Sequence, residues 1–272
     1  MGKTIPDKYP QVKDISDSER IRLVKEIFST ITGKYDFLNR FLSLRRDVAW
    51  RNFTAKKMRF FQTNRYLDVA CGTGDLSITA AVKHPQILVT GVDFVPEMVT
   101  AAGSKVHKKN LSERIQIMQG DALQLPFSDN YFDVTGIAFG IRNIPNRSRA
   151  LSEMMRVTVP GGQVIVLEMT FVQNRFFKLI YYVYLNYLLP AFAKFFSKNP
   201  AAYYYLADSI MNFPNPDAFA RIMEDTGMKN VKKYPLTFGI TYLHVGEKPV
   251  SEPKRRDFSF QQGDQGIARR RT

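Results

Sequence analysis

Cysteine is almost absent from this chain. Cys71 is the single example in 272 residues, so no intramolecular disulfide framework is available and a reducing, cytoplasmic setting is expected. Histidine is nearly as scarce: His84, His107 and His244 each read as surface or strand residues, and no metal site is expected. Acidic residues are in deficit too, with 25 Asp and Glu against 39 Lys and Arg and a formal net charge of +14. Half of that excess falls in residues 32–65, which hold nine basic and two acidic side chains, while residues 251–272 hold six and three. A solvated surface, anionic lipid headgroups or nucleic acid would each accommodate such a surplus, and composition alone does not choose between them.

Also missing is any uninterrupted apolar run of the ~20 residues that span a bilayer. The most apolar stretch, FFKLIYYVYLNYLLPAFAKFF (176–196), is broken by Lys178, Asn186, Pro190 and Lys194. Its aromatics, with lysine near both ends, suit a helix at a headgroup boundary or one lining a pocket for a long apolar chain; an ordinary packed helix or dimer face would read the same way. The opening MGKTIPDKYPQVKD has no apolar core for a secretory signal, and Pro6 stands where N-myristoylation needs Ser or Thr. Neither export nor acylation is therefore expected.

What is present is enough apolar content, 44%, for one large α/β core. Within it, YLDVACGTGDLS (66–77) runs from a buried strand through a Gly72-Thr73-Gly74 turn into a helical pattern at Asp75. Such a turn lets backbone approach a nucleotide-type cofactor at the end of a first parallel strand, although a tight strand-to-helix turn needs glycine for structural reasons as well. The third glycine of a dinucleotide fingerprint is replaced by Ser77, and the turn is flanked by Asp68 and Asp75. Carboxylates repel phosphates and suit a cationic ligand without them, which is a description of S-adenosyl-L-methionine.

Two more acidic strand ends follow. ILVTGVD (87–93) closes on Asp93, placed to accept hydrogen bonds from ribose hydroxyls, and IQIMQGDALQLPF (115–127) ends its strand at Asp121 and Ala122, where an adenine edge could be read. Any one of these aspartates could be a cap or turn residue; three in succession are harder to explain that way. Strands are expected near 65–70, 87–93, 115–118, 132–139 and 163–168, with Pro160-Gly161-Gly162 as the turn into the fifth. Helices are expected over 21–34 and 47–61 and between the strands, and 230–246 reads as a closing β pair.

DVACGTGD, GVD, GDALQLPF and RVTVPGGQVIVLEMT (156–170) together resemble the class I S-adenosylmethionine-dependent methyltransferases. YDFLNRFLSLRRDVAW (35–50) and AFGIRN (138–143) narrow the resemblance to the ubiquinone/menaquinone biosynthesis C-methyltransferase family, from about Tyr35 to Glu247. The resemblance implies a Rossmann-like, seven-stranded, mostly parallel sheet with helices on both faces. Residues 1–62 would form a helical cover, 63–248 the methyltransferase domain with a helical insert at 174–214, and 249–272 a basic disordered tail. It implies S-adenosyl-L-methionine at Asp68, Gly72, Thr73, Gly74, Asp93, Asp121 and Ala122. A polyprenylated quinol substrate would meet Arg142 and Asn143 after the fourth strand and Tyr35 and Asn39 from the cover. Peripheral contact with the inner face of an anionic membrane is expected, and a homodimer is compatible.

The chemistry sets its own demands. A ring carbon becomes nucleophilic when an adjacent phenol ionises, so the site must favour a phenolate, and Arg142 is the residue expected to stabilise it or to order a water that takes the proton. The alternative for Arg142 is a strand-end ion pair. The chain also departs from the family: Asp47 stands where a histidine is usual, and Val159 and Thr170 where lysine and serine are usual. Asp47 reads either as a base with raised pKa or as a helix N-cap. Two other classes fit less well. A nucleic acid methyltransferase would lack the Asn/Asp-Pro-Pro-aromatic element after strand four, and a non-catalytic quinone-binding assembly protein is separated by a test for product.

Overall fold

The computed structural model describes residues 15–172, 179, 181–184 and 201–250. Seven strands form one sheet in the order β3-β2-β1-β4-β5-β7-β6: β1 (Arg65–Val69), β2 (Leu88–Asp93), β3 (Ile115–Gln119), β4 (Phe132–Ala138), β5 (Thr158–Met169), β6 (Lys229–Leu236) and β7 (Thr241–Glu247). The first five are parallel and β7 is antiparallel to both β5 and β6. Central strands such as FDVTGIA and RYLDV are buried almost without a break, polar residues included, because helices cover both faces and leave no solvated side to alternate with. One core layer contains Tyr66, Ile87 and Ile165, and the other Leu67, Phe132 and Met154. The helices α4 (Asp75–Lys83), α5 (Pro96–Lys108), α6 (Arg147–Val157), α7 (Ala201–Met211) and α8 (Pro216–Asp225) complete the layers.

The cover consists of α1 (Asp17–Ile31), α2 (Tyr35–Leu42) and α3 (Arg46–Lys57). The first helix begins earlier than hydrophobic spacing predicts, because Ser16 and Glu19 form a reciprocal capping box ahead of the first apolar residue. It gives way at Thr32 to a short 3-10 turn. The third helix stops at Lys57, short of the predicted 61, where Met58 turns extended. Asp133 on β4 then fastens the end of the cover to the sheet. Its fully buried carboxylate accepts the backbone N–H groups of Phe61, Gln62, Thr63 and Asn64 at 2.8–3.3 Å. Four donors that would otherwise be orphaned in a turn are thus satisfied by one charge.

β5 starts at Thr158 instead of 163. Pro160-Gly161-Gly162 is not a turn before the strand but an irregularity within it, with Gly161 at φ +77° and a register shift opposite Phe132 and Val134. Cys71 is buried and its thiol is pushed up by burial, which suits a small packing residue in the glycine turn better than a nucleophile. The insert at 176–196 and the tail from 251 lie largely or wholly outside the described residues, as does the opening to residue 14.

His244 on β7 is fully buried, and burial holds its pKa down to about 4 despite the bond between Nε2 and the Pro216 carbonyl. A depressed folded pKa means that the unfolded chain binds the proton first, so His244 costs stability as pH falls from about 6.5 to 4, by up to about 3 kcal/mol. Asp68, with its pKa pushed up to about 6, acts in the opposite sense over nearly the same window. The stability gap between wild type and His244→Gln in urea titrations is therefore expected to move in favour of the variant by about 2–3 kcal/mol between pH 7 and 4.5. A gap that ignores pH would mean that His244 is already solvated.

Candidate active site

Strand order reverses between β1 and β4, and their C-terminal ends diverge to open a crevice. Ala70 and Phe139 leave these strands with left-handed φ of 50° and 57°, and Gly72 follows at φ +55°. Two cavities meet there. The smaller, of about 150 Å³, is lined by Gly72, Asp93, Asp121, Ala122 and Asn143 together with the apolar side chains of Val92, Val95, Met98 and Leu123. Asp93 governs its polar end: Oδ2 accepts the Gly72 N–H at 2.7 Å and Oδ1 the Val95 N–H at 2.9 Å. Burial raises its pKa, opposed by those backbone bonds. Each oxygen keeps a further lone pair for a hydroxyl. A carboxylate beside exposed turn backbone and an apolar slot fits the ribose and adenine of a nucleoside cofactor.

The predicted cofactor residues divide. Gly72, Asp93, Asp121 and Ala122 line this cavity, and Asp121 also holds its own turn by accepting the Leu123 N–H at 2.8 Å. Asp68, Thr73 and Gly74 do not line it. Asp68 lies beneath the turn, where Oδ2 accepts from Ser77 Oγ at 2.6 Å and Oδ1 from the Tyr66 hydroxyl at 3.3 Å, so it braces β1 against α4. Gly74 supplies the left-handed cap of α4 at φ +78°. Thr73 donates to Asp36 at 2.6 Å. Nor does Asp75 present a bare charge: Lys105 at 2.8 Å, Arg40 at 3.3 Å and Arg51 at 3.8 Å surround it, and these cations outweigh burial to lower its pKa. Asp68 and Asp75, the flanking carboxylates expected to repel phosphates, thus do not face the cavity as bare charges: the sheet buries Asp68, and Lys105 of α5 with Arg40 and Arg51 of the cover neutralises Asp75, while Asp93 and Asp121 are the carboxylates that line the cavity.

The larger cavity, about 790 Å³, is walled mainly by apolar side chains from the cover and from α7, including Ile27, Leu38, Leu42 and Ile210, with Val172 just after β5. Phe28, Tyr35 and Phe139 line both cavities. Arg142, Tyr35 and Asn39 all face the larger one, and Asn143 faces the smaller, so the four predicted substrate residues converge on the junction. Arg142 is 5% exposed, and its Nη1 donates to Glu168 Oε1 at 2.6 Å and to the Phe139 carbonyl at 2.7 Å. The ion-pair reading of Arg142 is therefore correct as well as its placement in the cavity. Burial works against its charge, but Glu168, through its charge and hydrogen bond, together with Tyr35 and Tyr205 outweighs it and raises its pKa.

Asp47 is not an N-cap. Arg45, in a left-handed conformation, precedes α3, and Asp47 sits within the first turn with its carboxylate bound by Arg51 Nη1 at 2.6 Å and Ser43 Oγ at 2.9 Å. With both oxygens engaged it orients Arg51, whose guanidinium lies over the Phe139 ring. Sequence reasoning missed Glu168, Tyr205 and the Asp47–Arg51 pair. The first had a signal, since a glutamate inside VIVLEM must find a partner if that strand is central.

Residues 13–248 match the ubiE/COQ5 methyltransferase family. The chain belongs to that family. It is 41% identical over 232 residues to the ubiquinone/menaquinone biosynthesis C-methyltransferase UbiE of Geotalea daltonii, covering 85% of this chain and 98% of that one. It is 39% identical over 230 residues to the demethylmenaquinone methyltransferase of Bacillus cytotoxicus, covering 84% and 97%. Among solved structures, a SAM-dependent methyltransferase from Aquifex aeolicus aligns with a TM-score of 0.52 at 17% identity, covering 73% of this chain and 89% of that one. The cyclase SpnF aligns with 0.51 at 18% identity, covering 75% and 81%. These last two share the fold alone, and their different names show that the sheet by itself does not choose a chemistry. As a member of the ubiE/COQ5 family with this fold, the chain is an S-adenosyl-L-methionine-dependent methyltransferase.

Proposed function

We propose that this chain transfers a methyl group from S-adenosyl-L-methionine to a ring carbon of a reduced polyprenylated quinone, converting demethylmenaquinol to menaquinol or performing the equivalent benzoquinol step. The observation that carries the reading is the pairing of a small cavity commanded by Asp93 with a far larger apolar one across Phe28, Tyr35 and Phe139. Asp93, the Gly72 backbone, Asp121 and Ala122 would hold the cofactor, which supplies an electrophilic methyl group when bound. The apolar cavity suits a ring bearing an isoprenoid chain.

Only the reduced ring can react, because its phenol can ionise and push electrons to the neighbouring carbon. Arg142 stands at the junction to stabilise that phenolate, and Tyr35, Asn39 and Asn143 orient the ring. A guanidinium titrates too high to take the proton itself, so the proton leaves through water or a neighbouring oxygen. After transfer the same ring carbon loses its proton and aromaticity returns.

Supplying the chain to cells that lack their own quinone C-methyltransferase, then measuring quinones by mass spectrometry, tests the reading. Demethylmenaquinone should disappear as menaquinone accumulates. If no demethylated quinone is consumed while the protein is present, the proposal fails.

The substrate's tail also calls for access from a bilayer. Residues that line the larger cavity yet lie on the surface mark its mouth: Leu44, at 83% exposure, Leu179, Val183 and Arg46, with exposed Arg45 alongside. No helix among the described residues is long and apolar enough to cross a membrane. The proposed contact is therefore peripheral, with leucine and valine in the headgroup layer and arginines on anionic lipid. Replacing Arg45 and Arg46 with glutamate should weaken binding to vesicles containing anionic phospholipid by about fivefold or more per charge. Equal binding by variant and wild type would remove this face.

A further inference from the structure

Three arginines gather around Tyr205 behind the junction. Arg142 has Glu168 as its counter-ion, but Arg20 from α1 and Arg147 from α6 have no ion-pair partner among the described residues. Arg20 is 9% exposed and donates to the Arg142 carbonyl, to which Arg147 Nη2 also points at 3.5 Å. The Nε atoms of all three are buried without a hydrogen-bond partner. Arg147 packs over the Phe213 ring, and burial together with Arg20 lowers its pKa. Burying cationic groups against one carboxylate is costly unless something negative completes the set.

Tyr205 of α7 lines the larger cavity and donates to Asn143 Oδ1 at 3.1 Å, which leaves the Asn143 amide as a donor. The charged and titratable groups acting on this point are Arg20, Arg142, Arg147 and Glu168, the phenols of Tyr35, Tyr181 and Tyr205, and, through Tyr35, Arg51 and Asp93. All three arginines act on the Tyr205 phenol, and Glu168 acts on both Arg142 and Arg147.

We propose that Arg20 and Arg147 form a cationic backing that lowers the ionisation point of the substrate phenol, with Arg20 as the positioning residue that also holds the Arg142 backbone in place. Arg142 alone, neutralised by Glu168, presents little net charge to a ring oxygen. The two unpaired arginines restore it, and the phenolate is the negative group that completes the cluster. The proton leaves the phenol oxygen for water, and its electron pair enters the ring. This deepens the quinol reading and rests on it.

The test compares wild type, Arg20→Gln, Arg20→Lys and Arg147→Gln, each first checked by thermal melting, in pH profiles of kcat/KM with a short-chain demethylnaphthoquinol. The ionisation limb of Arg20→Gln should shift upward by about one pH unit. Its rate should fall about tenfold at neutral pH and recover to within about twofold at high pH, whereas Arg20→Lys should lie near wild type. In parallel, a nitronaphthol bound by wild type should show its phenolate absorbance at lower pH than when bound by the variant. Should Arg20→Gln melt early, Arg147→Gln gives the same comparison. A loss that is equal at every pH, with unmoved nitronaphthol absorbance, would make these arginines structural props and overturn the proposal. If wild type itself fails to methylate the quinol, it is the substrate reading that falls, and the nitronaphthol titration still judges the cluster.

Discussion

Alanine in place of Arg142 is expected to lower kcat by about a thousandfold while the affinity for S-adenosyl-L-methionine, by calorimetry, stays within about threefold. The guanidinium lines the cavity proposed for the ring and not the one proposed for the nucleoside. The change also strands Glu168, which is 1% exposed, and breaking a buried pair by removing one partner costs about 3–5 kcal/mol of stability. A companion Arg142→Ala, Glu168→Gln double variant removes that stranded charge and isolates the catalytic loss. Arg142→Lys should recover stability only in part, since the lysine side chain ends one atom short of Nη1, the single nitrogen that reaches both Glu168 and the Phe139 carbonyl. Should cofactor affinity collapse in the folded double variant, Arg142 would belong to the other cavity and its assigned role would be wrong.

Asp93→Ala should do the reverse, raising the dissociation constant for the cofactor by about a hundredfold and lowering kcat at saturation by less than about tenfold. Hydrogen bonds to a charged carboxylate are worth about 1.5–3 kcal/mol each, and this one would accept from a ribose remote from the reacting carbon. Its loss also frees the Gly72 and Val95 N–H groups, so the turn that shapes the cavity loosens. Asparagine at 93 should be nearly as damaging, because its amide would point one donor at another where Oδ2 now accepts from Gly72. An unchanged dissociation constant in either variant would take Asp93 out of the site.

The sheet was legible because its strands are buried on both faces, and apolar runs such as LVTGVD and FDVTGIA carry that signal in a single segment. The seven-stranded, mostly parallel sheet followed from the family resemblance and is what the chain forms, whereas the order of its strands comes from the structure. Element ends were less legible, because they depend on hydrogen bonds from outside the periodic segment: Ser16 with Glu19 begins α1, and Asp133 on β4 secures residues 61–64 across some 70 positions of sequence. The site divides along the same line. Asp93 and Arg142 stand at strand ends, where topology alone aims them at the crevice. Asp68 and Asp75 look equivalent to Asp93 in sequence, yet one faces inward onto Ser77 and the other is claimed by Lys105, Arg40 and Arg51 from three other helices. Arg20 and Tyr205 gave no signal at all, since their meeting with residues 142 and 143 exists only in three dimensions.

The most direct measurement is a single-turnover reaction of the purified chain with methyl-labelled S-adenosyl-L-methionine and a chemically reduced demethylnaphthoquinol, with the product located by mass spectrometry and carbon NMR. The expected result is one label on the ring carbon beside a phenol oxygen, formed only from the reduced ring and about a thousandfold more slowly by Arg142→Ala. Label on oxygen, label on the oxidised ring, or an undiminished rate in the variant would contradict a phenolate held at the meeting point of the two cavities.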